Sequence, residues 1–195
     1  WQNRKAQRAG GDLVTPVYTM ADAIGAISRF RPCEYGQVIQ AEEGIVVRFS
    51  DIGHLLGSAC IELWLTEDGV TKKIVFSGDV GNIDQPLIKD PLPVEETDYL
   101  VLESTYGNRL HEKPGNTVGE LADVLQRTFD RGGNVVIPSF AVGRTQELVY
   151  ELNKFYEEHD EYKEVLDKVM VYVDSPMATN ATEVFPLNRQ VGQTV

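Results

Sequence analysis

Cysteine, histidine and long apolar runs are all scarce in this sequence. The two cysteines, Cys33 and Cys60, lie in different segments without CxxC spacing, which argues against a disulfide framework and a zinc knuckle. No run of about 18 apolar residues is present, and residues 1–10 are too polar for a secretory leader. We therefore expect reduced thiols, no membrane span and a cytoplasmic location.

Positive charge is also in short supply. The 195 residues include 18 Lys and Arg against 30 Asp and Glu, which gives a formal net charge of −12. Counterion release from a phosphate backbone needs a basic patch, so broad and nonspecific binding of nucleic acid is not expected. If nucleic acid is the partner, local chemistry has to overcome the acidic field. The hydrophobic content of 42% is enough for a globular core.

The first half of the chain is predicted to be rich in β-structure. Thr19, with Asp22 three positions on, predicts a capped helix that ends before Pro32, and a short helix is expected in the basic stretch before Gly10. Beyond this point apolar and polar residues alternate. Two antiparallel hairpins are predicted, with strands over residues 38–41, 45–49, 59–65 and 73–76.

After Pro93 the pattern changes to strands and helices in alternation. The predicted strands cover residues 99–104, 134–139 and 169–175, and the predicted helices begin at Asn116, at Arg144 and near Pro176. Such βαβ units imply a parallel sheet with right-handed crossovers. The expected fold class is therefore α/β, with β-hairpins that run into a parallel sheet covered by helices.

Chemically active side chains follow the predicted strands directly. Ligands of open α/β sheets collect at the carboxyl ends of the strands. The residues at these ends are His54, Asp79, Glu103, Ser139 and Asp174. Taken singly, a histidine or an aspartate beside glycine is more often structural. The coincidence of acidic and imidazole groups is the main indication of a site.

His54 and Asp79 are suitable zinc ligands, because imidazole nitrogen and carboxylate oxygen are able to bind one ion or bridge two. Glu103 closes an apolar run and needs a partner, for which a salt bridge to Arg109 is the simplest choice. The remaining histidines add little. His111 lies in a turn, and His159, within a charged run, is expected to be solvated.

A possible anion site lies where the helix after Ser139 begins. Free amides near Gly143, the guanidinium of Arg144 and the hydroxyls of Ser139 and Thr145 would be able to converge on an anion. A simple helix start with Arg144 paired to Glu147 is an equally good interpretation. The residues by themselves leave both open.

Five segments together carry a family resemblance. They are GHLLGSA (53–59), FSGDVG (76–81), LESTYGNRLH (102–111), IPSFAVGRTQEL (137–148) and YVDSPMA (172–178). In order and spacing they resemble the metallo-β-lactamase-fold nucleases of the beta-CASP group, and they are most similar to bacterial and archaeal relatives of the cleavage and polyadenylation endonuclease subunit.

This resemblance implies a fold, a reaction and residue roles. Residues 1–138 would form part of a metallo-β-lactamase αββα sandwich, and residues 139–195 the end of that domain and the start of a beta-CASP domain. The implied reaction is hydrolysis of RNA phosphodiester bonds with two zinc ions. His54 would be a zinc ligand, Asp79 a bridging ligand and catalytic residue, and Glu103 a catalytic-site residue that orients a later histidine. The residues of the possible anion site, Ser139, Gly143 and Arg144, would then bind the substrate.

The sequence also departs from the family pattern. The family's main metal motif, His-x-His-x-Asp-His, precedes the GHxxGS segment, and residues 1–53 contain nothing like it. Two further histidine motifs of the family would follow Val195. We therefore expect an internal fragment that is inactive alone and has exposed apolar edges, which favour dimerisation. A noncatalytic scaffold and a small-molecule metallohydrolase of the same superfamily remain as alternatives.

Overall fold

The structure, a computed structural model, describes residues 2–12, 14–110 and 117–187. The chain divides into two units, Trp1–Glu34 and Tyr35–Val195. None of the described helices combines the length and the hydropathy that crossing a membrane requires.

The N-terminal unit contains helices α1 (Gln2–Ala9) and α2 (Met20–Ile27). The capping box predicted for α2 is confirmed. The backbone N–H of Thr19 donates to Asp22 Oδ2 at 2.7 Å, and the backbone N–H of Asp22 donates to the Thr19 hydroxyl at 3.3 Å. The helix ends before the predicted stop at Pro32, with Ser28 as its C-cap.

The second unit begins with a five-stranded sheet in the order β1-β2-β3-β4-β5. Its strands are β1 (Val38–Glu42), β2 (Ile45–Asp51), β3 (Ala59–Glu67), β4 (Val70–Phe76) and β5 (Tyr99–Val101). The first four strands are antiparallel, which confirms the two hairpins. Asp68 and Gly69, at φ 49° and 75°, form the two-residue β3–β4 turn, because both positions of a type I′ turn need positive φ.

Helices follow the sheet. They are α3 (Thr117–Phe129), α4 (Arg144–Glu158), a short 3-10 helix (Asp160–Tyr162), α5 (Lys163–Leu166) and α6 (Pro176–Leu187). The helical starts at Arg144 and Pro176 agree with the sequence, whereas His111 and the start predicted at Asn116 lie outside the described residues. Ala122, Leu125, Phe155 and Leu166 form the buried apolar cluster that joins α3, α4 and α5.

The parallel part of the sheet is smaller than the sequence predicts. Within the described residues it is the single pair β4–β5, and the segments 134–139 and 169–175 form no strand. A strand exists only where a neighbouring backbone supplies hydrogen bonds, and these two segments have no ladder partner among the described residues. The α/β class is confirmed, but the predicted strands over 134–139 and 169–175 are wrong.

An apolar sheet edge is exposed, as the sequence predicts. Tyr99, Leu100 and Val101 of β5 are each more than half exposed. Their backbone groups pair with β4 on one side. Dimerisation through this edge stays a prediction.

The sequence predicts a solvated His159, but this prediction is wrong. It follows α4 directly, and its ring stacks on Phe155 with centroids 4.2 Å apart. The 3-10 helix begins directly after this residue, and one face of the half-buried imidazole covers Phe155 of the apolar cluster. Its Nδ1 atom is buried without a hydrogen-bond partner.

A carboxylate buried in the centre of the sheet was not anticipated. Glu62 on β3 is 1% exposed and accepts bidentate hydrogen bonds at 2.9 Å from Arg48, its cross-strand neighbour. Lys73 Nζ lies 2.8 Å from Glu62 Oε2, and the Ser50 hydroxyl donates at 2.6 Å. Burial alone would raise the pKa of Glu62, but these hydrogen bonds outweigh it and lower the pKa to about 2.

Replacement of Glu62 by Gln tests this network. Because the folded pKa lies near 2 and the ordinary value is 4.5, the stabilisation is present above about pH 4.5 and is lost as the pH falls towards 2. We expect Glu62→Gln to lower the free energy of unfolding at pH 7 by about 3 kcal/mol, since Arg48 and Lys73 lose their buried partner. Chemical denaturation from pH 7 to pH 2 measures both effects.

The exposed Glu67 of the same strand supplies the control, and Glu67→Gln should leave both the stability at pH 7 and its acid dependence as in the parent. Parallel loss of stability in Glu62→Gln and the parent below pH 4.5 would contradict the assignment.

Candidate active site

Most of the candidate residues meet at one cleft of the second unit. The cleft has a volume of about 960 Å³, and its walls include His54, Asp79, Glu103, Gly143 and Arg144. Ser139 and Asp174 lie outside it. Three of the five strand-end candidates, His54, Asp79 and Glu103, therefore lie in one region together with Gly143 and Arg144 from the start of α4, although they come from segments far apart in the sequence.

The loop that carries His54 is closed by its own side chains. Asp51 ends β2 as a buried carboxylate whose Oδ1 accepts the Gly53 N–H at 2.9 Å. The Ser58 hydroxyl accepts the N–H groups of His54 and Leu55, both at 3.1 Å, and the Ser58 N–H donates back to the Leu55 carbonyl. The serine of GHLLGSA thus fixes the turn that presents the imidazole.

The Asp79 loop packs directly on the His54 loop. Gly53 has a φ of 63°, and the N–H of Gly81 donates to the Ile52 carbonyl at 2.9 Å. A Cβ atom on Gly81 would overlap the Gly53 carbonyl and lie 2.6 Å from the backbone nitrogen of His54. Glycine at position 81 is required for this approach.

As a result, His54 and Asp79 face each other. His54 Nε2 lies 3.8 Å from Asp79 Oδ2, and the two side chains are 42% and 75% exposed. Zinc bonds to imidazole nitrogen and carboxylate oxygen are each about 2.0–2.2 Å long, so this separation fits two ligands of one ion. Within the described residues no cluster of three or more His, Cys, Asp or Glu side chains suited to a metal is found. Among the described residues, the side chains that fit a zinc ion are therefore His54 and Asp79.

Glu103 holds the Asp79 loop. The Thr105 hydroxyl donates to Glu103 Oε2 and the Val80 N–H donates to Oε1, both at 2.6 Å. The hydrogen bond from Thr105 and then that from Val80 lower the pKa of Glu103, and the nearby His54 adds to this. Glu103 is therefore ionised at neutral pH and fixes the residue that follows Asp79.

The salt bridge suggested between Glu103 and Arg109 is wrong. Arg109 places its guanidinium 4.6 Å from the ring centroid of Tyr106 instead. Glu103 is already satisfied by Thr105, two residues along the chain. A hydroxyl at that spacing from a strand-end carboxylate was the sequence signal for this partner.

The start of α4 follows the simpler of the two interpretations. Arg144 Nη1 lies 2.9 Å from Glu147 Oε2, and burial raises the pKa of Glu147 while Arg144 opposes the rise. The Thr145 hydroxyl donates to the Phe140 carbonyl at 2.7 Å and lies 2.8 Å from the Ser139 hydroxyl. These hydroxyls stabilise their own loop, and binding of substrate by Ser139, Gly143 and Arg144 stays a prediction.

Comparisons with known proteins agree with this arrangement. The profile of the Beta-Casp domain matches residues 145–193. The chain is 34% identical to Ribonuclease TTHA0252 of Thermus thermophilus over 88% of its length. It is 35% identical to an RNase J-like protein of Methanocaldococcus jannaschii over 73%, and 28% identical to the Cleavage and polyadenylation specificity factor 73 of Drosophila melanogaster over 87%.

The chain belongs to the Beta-Casp family. This Beta-Casp chain spans 37%, 34% and 24% of the lengths of those three relatives. The profile starts just after Arg144, whereas the domain boundary that we place between residues 138 and 139 stays a prediction. The family assignment made from the five segments is confirmed.

Substitution of Gly81 by Ala tests the contact between the two loops. The added methyl group would displace the Gly53–His54 peptide, and we expect a loss of about 3 kcal/mol in the free energy of unfolding, at the upper end for overpacked positions. Chemical denaturation measures this loss. Hydrogen exchange should show faster exchange across residues 52–58.

Gly25→Ala in α2 is the matched control. No atom lies within 4 Å of the Cβ position at Gly25, so this change should be neutral or stabilising by up to about 1 kcal/mol. If Gly81→Ala were as stable as the parent, the two loops would not be in the contact described.

Proposed function

We propose that the full-length protein is a zinc-dependent ribonuclease and that this chain forms part of its active-site cleft. The observation that carries the proposal is the pair His54 and Asp79, whose donor atoms are 3.8 Å apart at the cleft surface. The relatives support RNA as substrate, since their names describe ribonucleases and an RNA-processing factor. They favour RNA over a small-molecule substrate.

In this proposal His54 and Asp79 hold zinc, and Glu103 keeps Asp79 in place. Bound zinc supplies a water of lowered pKa and a positive charge that stabilises the transition state of phosphodiester hydrolysis. Glu103 acts through the Val80 N–H, so its ionised carboxylate sets the position of the aspartate and does not need to touch substrate. Any role towards a later histidine is additional to this contact.

The substrate would lie against the wall formed by Gly143 and Arg144. The side chain of Arg144 is 66% exposed and pairs with Glu147 through one contact. An RNA phosphate can take the place of this carboxylate and accept two hydrogen bonds from the guanidinium. Ser139 would contribute indirectly by holding Thr145 and the loop. The net charge of −12 repels RNA at long range, so binding depends on these local groups and on the metal.

We further propose that the protein acts in the cytoplasm.

Two substitutions in the full-length protein test the ligand assignment. His54→Ala and Asp79→Ala should each lower the zinc content and reduce the rate of RNA hydrolysis by more than the 10–100-fold that loss of an outer-shell partner costs. Metal analysis of the purified variants and cleavage of a labelled RNA measure the two effects. The isolated chain is expected not to hydrolyse RNA, because two side chains are fewer than the three protein ligands of a catalytic zinc site.

His159→Phe is the matched control, because it removes a histidine outside the cleft and keeps the ring stacked on Phe155. Its zinc content and activity should equal those of the parent. Unchanged zinc in both His54→Ala and Asp79→Ala would refute the ligand assignment. A full-length protein that binds RNA but does not cleave it would support the scaffold alternative.

A further inference from the structure

Gln146 is a buried amide in the first turn of α4. Only 4% of this residue is exposed. Burial of an amide without hydrogen bonds costs roughly 1–3 kcal/mol on the scale of protein mutations. The position therefore needs a reason to hold glutamine instead of an apolar side chain of similar volume.

Both ends of this amide are hydrogen-bonded. Its Oε1 accepts the Gly143 N–H at 2.8 Å. Its Nε2 lies 3.0 Å from the Ala141 carbonyl, 3.2 Å from the Ala178 carbonyl and 3.1 Å from Thr182 Oγ1. Two N–H groups are thus shared among three acceptors. The Thr182 hydroxyl donates to the Ala178 carbonyl at 2.8 Å, which leaves its oxygen free to accept from Gln146.

These bonds join two separate parts of the cleft wall. Gly143 belongs to the loop before α4, whose residues Phe140 and Val142 line the cleft, and α6 contributes Met177 and Phe185 to the same wall. Gln146 itself is not a lining residue. It connects the loop to α6 from behind.

Gly143, which Gln146 holds by a hydrogen bond, also packs against the His54 side of the cleft. A Cβ atom on Gly143 would lie 2.5 Å from Leu55 Cδ2, so the loop touches the residue next to His54. Gly143 has a φ of 88°, which glycine adopts without strain. A shift of the loop would therefore move the wall relative to the metal-binding pair.

Helix packing alone does not explain the choice of glutamine. An apolar side chain of the same shape would fill the space, but the Gly143 N–H at the N-cap of α4 and the carbonyls of Ala141 and Ala178 would lose the hydrogen bonds that Gln146 makes to them. A fully satisfied polar network fixes one arrangement of the parts it joins. The function of the amide is then the geometry of the cleft.

We infer that Gln146 is a positioning residue that fixes the loop 140–143 against α6 and so sets the width of the cleft in which single-stranded RNA is held. The inference rests on the proposed function. The wall residues contribute no ligand to the metal-binding pair, so we expect their displacement to weaken binding more than chemistry.

The test uses the full-length protein and a short fluorescein-labelled single-stranded RNA. Methionine keeps the unbranched shape of glutamine but donates no hydrogen bond, so Gln146→Met should raise KM and the Kd for RNA about tenfold, with kcat changed less than about threefold. The zinc content should equal that of the parent. Gln126→Met on α3, outside the cleft, is the matched control and should leave KM unchanged.

A second pair of variants separates geometry from folding. Thr182→Val removes the hydroxyl that accepts from Gln146 and should also raise KM, whereas Thr182→Ser keeps it and should restore the parent value. A lower melting temperature in Gln146→Met with KM unchanged would overturn the inference, as would an equal rise of KM in Gln126→Met or a fall in kcat alone.

The outcomes for the parent distinguish the two proposals. A parent that cleaves RNA while Gln146→Met keeps the parent KM refutes the positioning role alone. If the parent binds RNA without cleaving it, the nuclease proposal fails and the Kd of Gln146→Met still decides the role of the amide. A parent that neither binds nor cleaves RNA overturns both.

Discussion

The approach of Gly81 to the Gly53–His54 peptide is the contact on which the candidate site depends. Two loops at the same edge of the sheet, one after β2 and one after β4, meet there with no side chain between them, because a Cβ atom on Gly81 would occupy the space of the facing backbone. The hydrogen bond from Gly81 to Ile52 fixes the register of the contact. The imidazole of His54 and the carboxylate of Asp79 face each other as a consequence of this backbone packing.

Polar side chains then hold the segments around that contact in place. Glu103 holds the Asp79 loop from one direction, and Gln146 holds the opposing wall from the other. In each case an oxygen accepts a backbone N–H of a cleft-lining segment, and a second hydrogen bond fixes the side chain itself. The buried Glu62, paired with Arg48 and Lys73, performs a similar task within the sheet. Such groups stabilise one arrangement, since any alternative would leave a desolvated polar atom without a partner.

Local patterns predicted the parts of the fold that depend on neighbouring residues. The Thr19 cap, the two hairpins and the helix at Arg144 follow from side-chain period, capping chemistry and turn residues. The segments 134–139 and 169–175 have strand-like sequences but no strand, because pairing with a distant backbone decides a strand. His159 was misjudged for a related reason: its charged neighbours in sequence did not reveal that the chain folds it onto Phe155.

The sequence by itself determined which chemical groups are available and that His54, Asp79 and Glu103 stand at strand ends. It also carried the family resemblance, since ordered motifs are a property of sequence. Only the tertiary structure decided which of these groups meet and what holds them. The 3.8 Å separation of His54 and Asp79, the choice of Val80 and Thr105 as partners of Glu103, and the burial of Glu62 and Gln146 all depend on contacts between distant segments. Sequence spacing does not encode such contacts, because they arise when the strands and loops pack in three dimensions.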